Sequence, residues 1–133
     1  MNKGERMKQS TAPKEDGPAK GYFSDGTLES EGSWMDRKRV GPWKFYYKNS
    51  QVKAVGTYTV NGEFTGSWKW WRENGQVLQY GDFKDNKQVG LWKRYHGNGQ
   101  LMDEGSYGQD GSKIGEWKTY NPDGSLKSTK VYK

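Results

Sequence analysis

Few residues of this 133-residue chain could carry out catalysis or bind a metal. His96 is the only histidine and cysteine is absent, so a multi-histidine or thiolate metal site is excluded. A serine-histidine-aspartate arrangement would need His96 at its centre, and a structural or contact role is favoured for that residue. The glycines form no G-x-x-x-x-G-K-[ST] segment, and no acidic stretch has the ligand spacing of a calcium loop. The sequence therefore predicts no enzyme, no catalytic or metal-binding residue and no cofactor.

Lysine is a better candidate for chemistry, because it recurs directly after tryptophan. Each Trp-Lys pair follows a glycine by two residues, at Trp43-Lys44, Trp68-Lys69, Trp92-Lys93 and Trp117-Lys118. Together with Lys20, these lysines could form a column that binds phosphate or the headgroups of anionic lipid. The competing interpretation is that their stems cover neighbouring rings while the ammonium groups keep the surface soluble.

The elements that must position these residues are repeats. Five copies begin at Gly17, Gly41, Gly66, Gly90 and Gly115, a period of 24 to 25 residues. Each copy contains an Asn or Asp turn signal, such as Asn74-Gly75 in copy three, which favours a type I′ hairpin turn. A second turn, such as Asp85-Asn86, closes the copy. This pattern predicts an all-β fold, an open single-layer antiparallel meander of about five stacked β-hairpin repeats.

A two-residue turn would allow the pairs across each hairpin to be counted outward. In copy three the counted pairs are Arg72 with Val77, Trp70 with Gln79, Trp68 with Gly81, and Gly66 with Phe83. Each large ring then stands opposite a glycine of its own hairpin, which leaves room for the ring to lie over bare backbone. In copy five Trp117 faces Lys130 instead, and in copy one Ala19 replaces the tryptophan. Both terminal copies are therefore interpreted as caps.

The same count assigns columns of residues to the two faces of the sheet. The face that carries the tryptophan column, called the apolar face, is also predicted to carry an aliphatic column of Leu28, Val52, Val77, Leu101 and Leu126. The opposite face, called the lysine face, is predicted to carry the lysine column and a second ring column of Tyr22, Tyr46, Trp71, Tyr95 and Tyr120.

Two positions per copy vary in residue type, two and four residues after each tryptophan on the apolar face. In the three central copies they are Phe45, Tyr47, Trp70, Arg72, Arg94 and His96. Aromatic residues and arginine dominate interface hot spots, so these six residues are predicted to bind a partner. The alternative is that curvature of the sheet, or the amino-terminal tail, buries this stripe.

The first sixteen residues stand outside the repeats. Residues 1–16 contain no aromatic residue and no apolar period, which predicts a flexible tail before a repeat domain over residues 17–133. No signal peptide or membrane-spanning segment is recognised, so we expect a cytoplasmic location unless a leader has been removed. The net charge of +6 is spread over the repeats, and nucleic acid is not an expected partner.

The pattern G-x-W-K-x-[YW]-x-x-[ND]-G, followed by a strand that ends G-x-[YF], resembles the MORN-repeat variant of bacterial proteins grouped as YwqK-type antitoxins. The resemblance extends from Gly17 to Tyr132. It implies an open meander of hairpins, a non-enzymatic role and, for some members, neutralisation of a toxin or secreted effector. The classical MORN repeat suggests scaffolding or association with membrane lipids.

Two functions therefore compete. One is a protein-binding module, an antitoxin or immunity protein that binds and occludes a toxin or effector. The other is a structural or membrane-associated scaffold that binds anionic lipid through the lysine column. Because an open meander has unpaired edge strands, an edge-to-edge homodimer is a further expectation.

Overall fold

The sheet is the whole of the described fold. The computed structural model describes residues 15–133, so the predicted tail lies outside the described residues apart from Glu15 and Asp16. All strands belong to one antiparallel sheet in which each pairs with the next along the chain, and this confirms the predicted open, single-layer, all-β meander. The strands are β1 (Gly17–Tyr22), β2 (Leu28–Met35), β3 (Lys38–Tyr46), β4 (Val52–Tyr58), β5 (Phe64–Trp71), β6 (Val77–Lys84), β7 (Lys87–Tyr95), β8 (Leu101–Tyr107), β9 (Lys113–Tyr120) and β10 (Leu126–Tyr132).

The turn inside each hairpin is one residue longer than the type I′ turn that we predicted. In copy three the Gly75 amide donates to the Arg72 carbonyl at 2.9 Å, and the Arg72 amide donates to the Gln76 carbonyl at 2.7 Å. A type I′ turn requires a positive φ at both central residues. Gly75 has a φ of 93°, but Asn74 is not among the residues with positive φ. The Asn74 side chain instead accepts a hydrogen bond from the Gln76 amide at 3.0 Å. The type I′ prediction was therefore wrong at this turn.

The turns that link successive copies are of two kinds. Asp36-Arg37 and Asp85-Asn86 have positive φ at both residues, as a two-residue type I′ turn requires. The linking turns that end at Gly62 and Gly111 have the longer form, with each glycine amide donating to a carbonyl three residues earlier at 2.9 Å. The type I′ geometry thus occurs where no Asn-Gly or Asp-Gly pair is present.

The register of each hairpin follows the prediction far from the turn and departs from it close to the turn. In copy three, Trp71 pairs with Val77, and the predicted partner Arg72 does not, because Leu78 is an extra residue in a β-bulge. The longer turn shifts the pairing by one residue, and the bulge shifts it back. Three predicted pairs are therefore confirmed: Trp70 with Gln79, Trp68 with Gly81, and Gly66 with Phe83.

The bulge changes the face on which the aliphatic column lies. Residues that pair across antiparallel strands point to the same side of the sheet. The aliphatic column therefore lies on the lysine face, and its predicted place on the apolar face was wrong. The pairs that show this are Tyr22 with Leu28, Tyr46 with Val52, Trp71 with Val77, Tyr95 with Leu101, and Tyr120 with Leu126.

The core is a line of rings along the apolar face. Trp43, Trp68 and Trp92 are each only 2% exposed, although the residues described form a single sheet with no second layer. Successive rings meet edge to face at centroid distances of 5.1 to 6.5 Å, a geometry worth about 0.5–1.5 kcal/mol per pair beyond area burial. The line comprises Trp34, Trp43, Tyr58, Trp68, Phe83, Trp92, Tyr107, Trp117 and Tyr132.

Candidate partner-binding face

Each tryptophan of the repeat is positioned by the glycine two residues before it. Between β4 and β5, the three residues Gly66-Ser67-Trp68 stand opposite the single residue Gly56. Gly66 has a φ of 67°, a left-handed conformation that favours glycine. The resulting bend places the indole ring of Trp68 over Gly56, where a β-carbon would overlap the ring.

The tryptophan rings therefore cover glycines of the preceding copy. We predicted that Trp68 covers Gly81 of its own hairpin, and this was wrong. The two residues do pair across the strands, but Gly81 is covered by Trp92 of the next copy. Each ring thus joins two copies, because the bend before the tryptophan turns the ring toward the previous strand.

Each indole N–H also donates to the backbone carbonyl that follows the covered glycine. The ring contact and this hydrogen bond are called the tryptophan clasp below. It satisfies the one polar group of a buried indole and ties each copy to the one before. The four N···O distances are all 3.0 Å, from Trp43 to Ser33, Trp68 to Thr57, Trp92 to Asp82, and Trp117 to Ser106.

In copies two and three, the residue two positions after the tryptophan covers the ring from the same strand. In copy three Trp68 lies between Phe64 and Trp70, whose ring centroids are 4.3 and 5.5 Å away with nearly parallel planes. In copy two Phe45 stacks on Trp43 at 5.7 Å. The aromatic covers shield the clasped rings from solvent on a sheet with one layer.

Copy four has an ion pair at the same place. Arg94 occupies the position of Trp70, with its side chain 54% exposed, while Asp103 on the neighbouring strand is buried. Arg94 Nη2 donates to Asp103 Oδ2 at 2.6 Å, and Nε donates to Oδ1 at 3.1 Å. The carboxylate raises the pKa of Arg94. This two-point contact holds a charged guanidinium in one orientation.

Three of the six predicted partner-binding residues lie in one row across the sheet. The row is formed by Phe45, Ala54, Trp70, Gln79 and Arg94, each paired with the next on neighbouring strands. Strands are about 4.8 Å apart, so Phe45, Trp70 and Arg94 follow each other at intervals of about 10 Å. Phe45 and Trp70 are half-buried and Arg94 is exposed. These three residues are called the variable row below.

The other three predicted residues bind the backbone of the next copy. Each bond spans the same step of the repeat, so three different side chains make one structural contact, called the backbone latch below. Their predicted role in partner binding stays a prediction. The latches join the Tyr47 hydroxyl to the Trp71 carbonyl at 2.7 Å, Arg72 Nη2 to the Tyr95 carbonyl at 2.9 Å, and His96 Nε2 to the Tyr120 carbonyl at 2.9 Å.

Sequence reasoning missed the latch because it took variation in residue type as a sign of function. The signal that could have found it is chemical, since tyrosine, arginine and histidine are all long side chains that can donate a hydrogen bond. The terminal copies depart from it. The Phe23 side chain of copy one has no hydrogen-bond donor, and Asn121 of copy five donates to Ser125 Oγ at 3.0 Å.

A comparison with known families agrees with this repeat geometry. The description "MORN repeat variant" matches residues 15–36, 39–59, 64–85, 88–108 and 113–133, so it covers more than half of the chain. The chain belongs to the MORN repeat variant family. In this MORN-variant chain each matched segment corresponds to one hairpin, and the tryptophan clasp joins neighbouring hairpins.

Other comparisons add little to the family assignment. No curated protein matches the MORN-variant chain. A crystal structure of a S. aureus TarM mutant in complex with fondaparinux, alpha-GlcNAc-glycerol and UDP is 12% identical, with a TM-score of 0.37 over 96% of this chain and 21% of that chain. The GtfA/B complex bound to UDP and GlcNAc is 12% identical, with a TM-score of 0.36 over 69% and 22%. The MORN-variant chain spans about a fifth of the length of these structures, and likenesses this weak carry no argument.

On the lysine face of the MORN-variant chain, lysine ammonium groups lie close to acidic side chains and to aromatic rings. Lys93 Nζ lies 3.9 Å from Glu104 Oε1 across the strands. The Lys69 ammonium lies 5.2 Å from the Trp71 ring and 5.6 Å from the Tyr80 ring, distances at which cation–π attraction is effective. These contacts agree with the interpretation that the lysine side chains cover neighbouring rings.

Two tyrosines of this face have strongly raised pKa values. The Tyr46 hydroxyl donates to Glu31 Oε2 at 2.5 Å, and this bond, with burial, raises the pKa of Tyr46 to about 12. Burial, together with the hydroxyl of Tyr80 at 3.4 Å, raises the pKa of Tyr95 to about 12. Both phenols are therefore neutral near pH 7 and act there as hydrogen-bond donors within the sheet.

The described residues assemble no cluster of metal-ligating side chains. Among residues 15–133, no group of three or more His, Cys, Asp or Glu residues could hold a metal ion. His96 is engaged in a backbone latch. The same part of the chain has no helix that is long and apolar enough to cross a membrane. What the MORN-variant sheet does present is an ordered row of aromatic and cationic side chains.

Proposed function

We propose that this chain is a non-enzymatic module that binds another protein through its apolar face, with the variable row at the centre of the contact. The observation that carries the proposal is that the fold does not need an aromatic residue at this row. Arg94 and Thr119 occupy the position of Trp70 in copies four and five, where Trp92 and Trp117 remain buried. A position where the fold accepts an aromatic ring, an arginine or a threonine, on a sheet with no second layer in residues 15–133, leaves the residue type free to suit a partner.

The variable row is also ordered before a partner arrives. Trp70 stacks on Trp68 at 5.5 Å and lies 6.1 Å from Trp92, while Arg94 is held by Asp103. Side chains that are already fixed lose little rotamer entropy on binding. Tryptophan and arginine are the residue types most enriched at interface hot spots.

The latch residues border this surface in the proposal. Tyr47, Arg72 and His96 are half-buried and lie two residues after Phe45, Trp70 and Arg94, just past the ends of β3, β5 and β7. Their latches use one donor each, which leaves the remaining ring or guanidinium surface for contact with a partner.

Site-specific crosslinking tests the face directly. The photoreactive residue p-benzoyl-phenylalanine would replace Phe45 or Trp70 in separate variants and Leu91 in a matched control. Leu91 lies on the lysine face and is 53% exposed, so it reports non-specific capture. We expect the same crosslinked protein from positions 45 and 70 and none from position 91. Equal crosslinking from all three positions would contradict the assignment of the face.

A graft from copy four tests the row while preserving the fold. The double variant W70R/Q79D reproduces the Arg94 and Asp103 pair over the clasp of copy three, because Gln79 pairs with Trp70 as Asp103 pairs with Arg94. We expect the melting temperature to stay close to that of the parent chain, while binding of the crosslinked partner is lost. Unchanged binding by the folded variant would remove Trp70 from the interface.

Within this proposal the partner is a toxin or secreted effector that the module occludes. The support is the resemblance of the G-x-W-K repeat to YwqK-type antitoxins. The test is to express the crosslinked partner alone, with the parent chain, and with W70R/Q79D. The antitoxin proposal expects growth arrest that only the parent chain relieves. A harmless partner would remove the antitoxin role and leave the binding proposal intact.

Lipid binding through the lysine column is the other candidate function. The observed register favours it by placing Lys44, Lys69 and Lys93 on alternate strands of one face. Against it, the carboxylates of Glu31 and Glu104 lie in the same row. Strand pairing therefore places negative charges among the positive ones.

Vesicle sedimentation separates the two candidates. Vesicles of phosphatidylserine and phosphatidylcholine would be tested at low salt with the parent chain and with K44Q/K69Q/K93Q. Salt-sensitive binding that the triple variant abolishes would favour the lipid function. No binding of the parent chain at low salt would remove it, and crosslinking from positions 45 and 70 would be unaffected.

A further inference from the structure

The two outer strands of the sheet each lack one half of a tryptophan clasp. At the position of the clasp tryptophan, β1 has Ala19. At the position of the covered glycine, β10 has Lys130, which pairs with Trp117 as Gly81 pairs with Trp68. All four boundaries between copies inside the chain have both halves.

The rest of the clasp is retained on β1. Gly17 has a positive φ of 112°, so it keeps the left-handed conformation of the leading glycines. Pro18 does not prevent pairing, because Pro42 occupies the equivalent position in β3, which has neighbours on both sides. Except for Ala19, β1 therefore has the sequence features of a strand that docks on a preceding copy.

Lys130 closes the other edge by steric means. At each inner boundary, a β-carbon on the covered glycine would overlap the indole ring. Lys130 carries a β-carbon, and its ammonium group lies 5.1 Å from the Tyr132 ring. The edge strand β10 therefore has no place for an incoming tryptophan.

We propose that Ala19 and Lys130 are the residues that stop copies of this chain from joining head to tail, with β1 of one copy against β10 of another. The two edges are halves of one interrupted interface, and the partner that they would fit is a second copy of the chain. A sheet of hairpins repeats the same junction at every boundary, so it extends without limit unless its ends differ from its interior. On this proposal, the edge-to-edge homodimer expected from the sequence does not form by pairing of β1 with β10.

Completing both halves of the clasp tests the proposal. Sedimentation velocity over a wide concentration range would compare the parent chain, A19W, K130G and the double variant A19W/K130G. We expect the mass of a single chain for the first three and at least a doubling of the weight-average mass for A19W/K130G. Association of the parent chain, or a folded A19W/K130G that stays monomeric, would overturn the proposal.

A matched variant separates the clasp from the simple loss of a lysine. A19W/K130A removes the same charge but keeps a β-carbon where the clasp needs bare backbone, so it should remain monomeric. Association as strong as that of A19W/K130G would overturn the steric argument. Circular dichroism and the melting temperature of each variant establish that it is folded.

A disulfide reports where the copies meet, since the chain has no cysteine of its own. In a head-to-tail junction Ser128 of one copy should pair with Gly21 of the next, as Asp103 pairs with Thr119 inside the chain. Gly21 and Ser128 lie on the two edge strands, so they cannot bridge within one chain. Oxidation of G21C/S128C should give disulfide-linked ladders in the A19W/K130G background alone. Ladders in the parent background, or none in either, would contradict the proposed junction.

Discussion

Copies three and four of this sheet share a junction but differ in the residue two positions after the tryptophan. Both bury a tryptophan over a glycine of the previous copy, with an indole hydrogen bond of 3.0 Å to the backbone. The ring of Trp68 is then covered by Trp70, whereas at the same position copy four has Arg94, paired with Asp103. The clasped rings are 2% exposed in both cases.

The difference shows which side of the tryptophan the fold constrains. The side toward the previous strand allows only glycine, because any β-carbon would overlap the ring. The outer side accepts an aromatic ring or an ion pair with no change in ring burial. Residue choice on that side is therefore open to selection by a partner, and this is why we place function there.

The largest effect is expected from alanine at the covered glycines. Gly56→Ala and Gly81→Ala would place a methyl group inside the rings of Trp68 and Trp92, and each should lower the free energy of unfolding by about 3 kcal/mol or more. Urea denaturation measures both. Gly97→Ala is the control, because no atom lies within 4 Å of its added β-carbon. A large difference between the two clasp variants would show that the copies do not share one junction.

Removing the aromatic cover should have the next largest effect. Trp70→Ala exposes one face of Trp68 and should cost about 2 kcal/mol, below the ~3–5 kcal/mol of a fully buried ring, because Trp70 is half-buried. The loss should be insensitive to salt, since no charge is involved. The same denaturation experiment at low and high salt measures it. A salt-dependent loss would mean that Trp70 acts through more than packing.

Removing one member of the Arg94–Asp103 ion pair should cost less, and the loss should depend on which residue remains. Arg94→Ala leaves the buried carboxylate of Asp103 without its main hydrogen-bond donor, at a cost of about 1.5 kcal/mol for a half-exposed arginine. The double variant R94A/D103A should be more stable than R94A alone, because no unpaired buried charge remains. A double-mutant cycle in urea measures the coupling. Strictly additive losses would show that the pair contributes nothing to the fold.

The backbone latch should contribute about as much as one neutral hydrogen bond. Tyr47→Phe removes the donor to the Trp71 carbonyl and keeps the ring, so we expect a loss of about 1 kcal/mol. Hydrogen exchange of the amides around the turn of copy three should quicken more than that of the β7 amides. No change in stability or exchange would leave Tyr47 without a structural role and strengthen the interpretation that it serves a partner.

The smallest effect on stability is expected only at high pH. It concerns the lysine face, where two tyrosines donate hydrogen bonds of different length to glutamates. Tyr46 donates to Glu31 at 2.5 Å, whereas Tyr120 donates to Glu104 at 3.1 Å. The pKa of Tyr46 is raised to about 12 from its ordinary value of 10.0, so its contribution to stability is complete below pH about 10 and is lost as pH rises through about 12. Tyr46→Phe should remove a phenol that ionises near pH 12 in an ultraviolet titration. Loss of a phenol that ionises near its ordinary pKa would contradict the hydrogen bond to Glu31.

Much of the fold could be predicted because it depends on local pattern. The spacing of Gly66, Trp68 and Asn74-Gly75 was enough to predict the hairpin and most of its register. The predicted register was wrong next to the turn, where Leu78 forms a bulge that no residue type indicates. The extra residue in the turn and the bulge shift the register in opposite directions. The pairs far from the turn were therefore predicted correctly, although the turn type was wrong.

The candidate site could be predicted only in part. Phe45, Trp70 and Arg94 were expected on one face, and the structure places them in one row of that face. The latches were not expected, because each joins a side chain to a backbone carbonyl about 24 residues away in the next copy. Every residue has a backbone carbonyl, so the sequence does not indicate which carbonyl will accept a hydrogen bond. The different residue types at the latch positions therefore did not indicate a shared contact.

The amino-acid sequence by itself determined the repeat, the meander and the two kinds of ring column, since turn residues and alternation act over a few residues of chain. Only the tertiary structure decided which glycine each tryptophan covers and on which face the aliphatic column lies. These properties depend on how one strand bends against its neighbour. Two bends, at the leading glycine and at the bulge, turn the clasp tryptophan toward the previous copy and move the aliphatic column to the lysine face.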